Sequence, residues 1–128
     1  MVNKTYISIY FNSNSIYIFK KNIRFLGSYK FIQFRVNFEN KTMIILGSNK
    51  NSFTTFRIPK NILNDNGYMA VHSKALCSIL AYQFNWDKEY SYRVPGTLLS
   101  KQGIILFDLT RAEKIRDNND KQGWVVVR

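Results

Sequence analysis

The 128-residue chain is long enough to bury one core without staples and leaves little room for a second domain, and its 45% hydrophobic and 16% aromatic content excludes a disordered polymer. A single cysteine, Cys77, excludes an intrachain disulfide and a multi-cysteine metal site, and no apolar run reaches the ~18 residues of a membrane helix. The net charge of +11 points to polyanionic rather than cationic partners, and the absence of a leader-like stretch after Met1 fits a reducing cytoplasm.

Tyr6 to Phe11 alternates, with Ile7, Ile9 and Phe11 on one face and Tyr6, Ser8 and Tyr10 on the other, the period of a half-buried strand. Asn12-Ser13-Asn14-Ser15 is a turn cluster and Ile16 to Phe19 a second strand, which together predict a hairpin. Lys20 to Gly27 reads as a short helix, since Ile23 and Leu26 share a face and Gly27 is a natural C-terminal cap. Strands follow over Phe31 to Asn37 and Thr42 to Leu46, with Asn40 as the turn residue between them; Ile32, Phe34 and Val36 face one way, Phe31, Gln33 and Arg35 the other. Gly47 to Ser52 is a polar loop whose glycine and lysine spacing does not make a phosphate loop. Phe53 to Ile58 is a strand stopped by Pro59, and Asn61 to Gly67 a connector.

Beyond the connector, Tyr68 to Val71 is a strand, Ser73 to Tyr82 an apolar helix, Tyr90 to Val94 a strand ending at Pro95-Gly96, and Gly103 to Leu109 another. Thr110 to Arg116 is predicted as a helix, with Thr110 as N-cap and Glu113 completing a capping box. Asp117 to Asp120 is a loop, and the apolar Trp124 to Val127 is expected to pack as a terminal strand. The expected whole is one mainly β domain with short helices over residues 1–128.

The two halves run parallel. Ile18 to Leu26 aligns with Val71 to Ile79 at an offset of 53, Phe34-Arg35-Val36 with Tyr92-Arg93-Val94 at 58, and Ile44-Ile45-Leu46 with Ile104-Ile105-Leu106 at 60. Repeat 1 covers about 5–58, repeat 2 about 68–109, each a strand, short helix and hairpin, with a C-terminal helix and strand over about 110–128. This order, with Ile18, Arg24, Leu26-Gly27, Phe34-Arg35-Val36 and Met43-Ile44-Ile45, resembles the swapped-hairpin units of AbrB/SpoVT-like DNA-binding proteins. The resemblance implies a small barrel-like pseudo-dimer within one chain, AbrB-like or close to a double-psi barrel, and DNA as ligand. The sequence departs from the family pattern at Phe19, where proline is usual, and at Asn14-Ser15, in place of Gly-Arg; the hairpin-opening Gly-Asp is absent from the first repeat.

Catalytic chemistry is sparsely supplied. His72 is the sole histidine and reads as a partly buried structural residue, and Cys77 as core. The acids Asp108 with Glu113, or Asp117 with Asp120, could pair, although a solvated loop accounts for the latter. No cofactor and no enzymatic activity are expected. Binding is better supplied: residues 1–60 hold ten Lys and Arg against the lone Glu39, net +9, whereas residues 61–128 hold nine against seven acids, net +2. Lys20, Lys21 and Arg24 cluster on the first helix; Arg35 and Arg57 lie on strands beside Gln33 and Thr55. With Tyr6, Tyr10 and Tyr17 they suit groove contacts or stacked single-stranded bases. The expectation is a small non-catalytic nucleic-acid-binding protein, DNA favoured, acting lopsidedly through its first repeat, as monomer or homodimer. The alternative is a protein-interaction module, for example a phage or mobile-element accessory protein docking on an acidic partner, with the tyrosines in an interface.

Overall fold

Alternating β-branched and aromatic residues build this molecule strand by strand. The computed structural model describes residues 3–62 and 67–115. In chain order its elements are strands β1 (Lys4–Tyr10) and β2 (Ser15–Phe19), helix α1 (Lys20–Leu26), strands β3 (Phe31–Asn37), β4 (Thr42–Ser48), β5 (Thr55–Arg57) and β6 (Tyr68–His72), helix α2 (Lys74–Phe84), strands β7 (Ser91–Leu99) and β8 (Ile104–Asp108), a 3-10 turn (Leu109–Arg111) and strand β9 (Glu113–Ile115). Eight strands hydrogen-bond in the order β5-β3-β4-β8-β7-β1-β2-β6 and curl into a nearly closed antiparallel barrel, with β9 added to β7.

Period-two alternation decides what fills the interior. Ile7, Ile9, Ile16, Ile18, Met43, Ile45, Val94, Ile105 and Phe107 are all fully buried there, joined by Ile23 and Leu26 of α1 and by Cys77, Leu80 and Ala81 of α2. Local chemistry sets the ends of the elements. Asn14 turns the first hairpin at φ +50°, and Gly27 ends α1 at φ +105°, where a Cβ would be strained. Ser73 caps α2 by accepting from the Leu76 amide at 3.1 Å, and left-handed Asn85 closes it.

Asn40 lies in the turn between β3 and β4 as expected; Asn37 Oδ1 accepts from its amide at 2.9 Å, and the left-handed residue of that turn is Lys41 (φ +57°). Four local expectations are corrected. Strand β4 continues through Gly47 and Ser48 because both pair with β3. The strand expected from Phe53 begins only at Thr55: hydroxyls of Ser52 and Thr55 bind nearby backbone groups and fold 50–55 into a turn that leaves Phe53 exposed.

Strand β7 does not stop at Pro95-Gly96. The Leu98 amide donates to the Asn3 carbonyl on the β1 side at 2.7 Å, so by alternation Pro95 nitrogen faces the other edge. There β9 covers Ser91 to Arg93 and β8 covers Gly96 to Leu99, and Pro95 falls in the gap where no ladder bond is lost. Finally, the described part of the expected helix, Thr110 to Ile115, is not a capped helix. Asp108 accepts from the Thr110 amide at 3.0 Å and caps a single 3-10 turn; Ala112 is extended, and Glu113 to Ile115 gains ladder bonds to β7 that a helix of about two turns could not offset against its nucleation cost. Arg116 and the expected strand Trp124 to Val127 lie outside the described residues.

Gly96 faces inward against buried Phe107, whose ring would lie 2.5 Å from an added Cβ. Gly96→Ala is therefore expected to destabilise the fold by about 1–3 kcal/mol, the cost of overpacking, read as a lowered urea midpoint at unchanged slope.

Candidate nucleic-acid interface

One backbone contact fixes the start of α1, and a second joins the chain after β5 to the residue before β3. The Lys20 amide, one of the donors a helix start leaves unpaired, donates to the Gly67 carbonyl at 2.8 Å. The Ile58 amide donates to the Lys30 carbonyl at 2.8 Å, extending the β3–β5 ladder one step past the Phe31–Arg57 pair. These contacts leave a cleft at each end of the helix.

The cleft at its C-terminal end, about 830 Å³, is bounded by the 27–30 loop and the chain leaving β5. It gathers Arg24, Lys30, Arg57 and Lys60 around the ring of Tyr29. Tyr29 lies flat on Gly47, where a Cβ would collide with the ring. The Arg57 guanidinium sits 4.8 Å from the centre of the Phe31 ring, a cation–π contact that holds it at the rim. The cleft at the N-terminal end, about 580 Å³, brings Lys4, Lys20 and Lys21 to the rings of Tyr6 and Phe19. Among the described residues no carboxylate lines either cleft.

Helix α1 itself is electrostatically one-sided. It has no acid in its first turn and no side-chain N-cap, and Lys20, Lys21 and Arg24 fall at the (i, i+3) and (i, i+4) spacings at which like charges repel. Such an arrangement costs the isolated helix a few tenths of a kcal/mol per pair and is relieved by an anion. Its position rests instead on buried Ile23 and Leu26 and on Asn22, which accepts from Thr5 Oγ1 at 2.7 Å.

Of the five basic residues singled out from the sequence, four border the clefts. Arg35 does not: it shares an outward face with Gln33, Thr55 and Arg57 but lies four residues, about 13 Å, along β3 from the Arg57 pair, its Nε donating to Gln33 Oε1 at 2.9 Å. Lys4, Lys30, Lys60 and Tyr29 were missed. The signal for Lys30 and Lys60 is their position flanking β3 and β5, which becomes informative only once those strands are known to pair.

On the outer face of β1, β2, β6 and β7, a row of rings lies over small residues. Tyr17 and Tyr68 stack at 4.4 Å and 11°, Tyr10 meets Tyr17 at 4.8 Å, and Tyr6 meets Phe19 edge-on at 5.2 Å. Between them Ser8, Ser15 and Ser91 are buried. Arg93 lies 4.5 Å over Tyr6, and burial together with neighbouring Tyr68 raises the Tyr17 phenol above its usual 10.0.

Among the candidate catalytic groups, His72 borders this face through Ser15. His72 is exposed rather than partly buried, because it ends β6, and its Nδ1 lies 2.9 Å from Ser15 Oγ. Asp108 is engaged with Thr110, and Asp117 and Asp120 lie outside the described residues. Among the described residues no three His, Cys, Asp or Glu side chains are grouped to hold a metal ion, and no helix is long and apolar enough to cross a membrane. No family model, curated protein or solved structure matches this chain.

Cys77 is fully buried in the core, and burial pushes its thiol up to about 11 from 9.0. A raised thiol pKa contributes stability that is intact below pH 9 and is lost as pH climbs from 9 to 11. Urea titrations at two pH values, one below 9 and one near 11, are expected to show a larger loss for the natural protein than for Cys77→Ala.

Proposed function

We propose that this chain is a small, non-catalytic nucleic-acid-binding protein, DNA favoured, that engages the polyanion through the surface around α1. The observation that carries the reading is the grouping of Lys4, Lys20, Lys21, Arg24, Lys30, Arg57 and Lys60 in two clefts at the ends of one seven-residue helix, with no carboxylate among the described lining residues. Each lysine or arginine that meets a phosphate releases condensed counterions, so such a surface draws most of its affinity from the entropy of released salt. Phosphate contacts of this kind position a duplex or a strand without reading its sequence.

The strand order also supports the AbrB-like pseudo-dimer as a reading of the fold. Exchanging β1–β4 for β5–β8 turns six of the seven neighbour pairs into one another or into themselves; only β1–β2 has no counterpart, since β5 and β6 do not pair. Where the halves meet, the alignment offsets place a residue opposite its own equivalent: Tyr17 opposite Ala70 in β2–β6, and Ile45 opposite Ile105 in β4–β8. On this reading β5 belongs to the second unit, which supplies Arg57 and Lys60, while the first unit supplies Lys4, Lys20, Lys21, Arg24 and Lys30.

The test is fluorescence anisotropy with labelled oligonucleotides across a salt series. The logarithm of the affinity is expected to fall linearly with the logarithm of salt concentration, and Arg24→Ala and Lys60→Ala each to reduce the slope by about 1 while weakening all sequences alike. No binding to duplex or single strand at low ionic strength, or a slope indifferent to both substitutions, would overturn the reading. Nuclease-resistant capture of one stoichiometric acidic protein would then favour a protein-docking module.

A further inference from the structure

We infer that the strand held by this protein is single-stranded DNA, whose bases stack on the outer aromatic face of β1, β2 and β6 while its phosphates follow the lysines at the start of α1. The inference rests on the nucleic-acid reading above and deepens it. Three observations carry it.

First, the rings are continuous with the charge. Tyr6 and Phe19 form the wall of the cleft that holds Lys4, Lys20 and Lys21, and Phe19 is the cross-strand partner of Tyr68, the outermost ring of the tyrosine row. A chain leaving the lysines therefore meets aromatic faces at once. Second, the row is built as a platform. The small side chains of Ser8, Ser15 and Ser91 are buried among the rings instead of projecting past them, and Tyr68 keeps 46% of its surface exposed. Tyr17 and Tyr68 are already stacked, so a base extends the stack on the free face of Tyr68 rather than entering it. Third, Arg93 sits over Tyr6 at the β7 side of this face and adds a cation beside the rings; the one acid directly across from it is Glu113 on β9.

A paired base in a duplex has its faces covered by its neighbours, whereas an unpaired base offers a π-face to any ring of this kind, whatever its identity. The serines between the rings are buried and present no hydroxyl to a ribose 2′-hydroxyl, the observation on which DNA is preferred to RNA here.

The experiment compares a labelled dT20, the same length of rU20 and a 20-base-pair duplex on the full chain, with the natural protein, Tyr68→Ala and Tyr68→Phe. Urea midpoints confirm that each variant is folded. dT20 is expected to bind more tightly than the duplex and at least as tightly as rU20; Tyr68→Ala is expected to weaken dT20 about tenfold and leave the duplex unchanged, whereas Tyr68→Phe, which keeps the π-face, retains binding. A duplex bound as tightly as dT20, with Tyr68→Ala neutral for both, overturns the single-strand inference and leaves the basic surface standing. Tighter binding of rU20 overturns the choice of DNA. Binding of none of the three overturns the inference and the reading beneath it together.

Discussion

The ladder between β1 and β7 is the constraint on which the rest of this molecule depends. It runs without interruption from Lys4 opposite Thr97 to Tyr10 opposite Ser91, joining the first strand of the chain to one almost ninety residues later. Its register fixes both faces at once. Ile7 and Ile9 enter the core beside Val94 and Tyr92, and for that reason Tyr6, Ser8 and Tyr10 must lie outside. A slip of one residue would put the tyrosines in the core and the isoleucines in water, so the buried face pins the register and the register supplies the aromatic surface.

Charge is organised around the same ladder. Thr5, on β1, donates to buried Asn22 and so anchors α1, a helix whose own sequence is poorly suited to holding three cations together. The helix persists because burial of Ile23 and Leu26, on the order of 1.5–3 kcal/mol each, outweighs repulsion worth a few tenths of a kcal/mol per pair. Packing thus holds cations where electrostatics alone would disperse them, a condition that favours an anionic ligand.

Much of the architecture was legible because it is local. Alternation marked β1 to β4, Gly27 marked the end of α1, and Asn14 marked the first turn, since each depends on a few neighbouring residues. What could not be read depends on partners far along the chain. Pro95 looks like a strand terminator until β8 and β9 are known to leave a gap opposite it. Thr110 to Glu113 looks like a capping box until β7 is known to offer a free edge. The site divides the same way: Lys20, Lys21 and Arg24 were visible as a helical cluster, whereas Lys4, Lys30 and Lys60 join it only through tertiary contacts, and Arg35, with the right chemistry, faces the wrong part of the sheet.

Native-state hydrogen exchange in low denaturant tests the interlocking of the two halves most directly. If β1 is locked between β7 and β2, the slow amides of β1, β4, β7 and β8 exchange through one common unfolding event with the same free energy and denaturant slope. Two separate classes, with residues 4–48 protected to one level and residues 67–115 to another, would contradict an interlocked barrel and describe two independent units in its place.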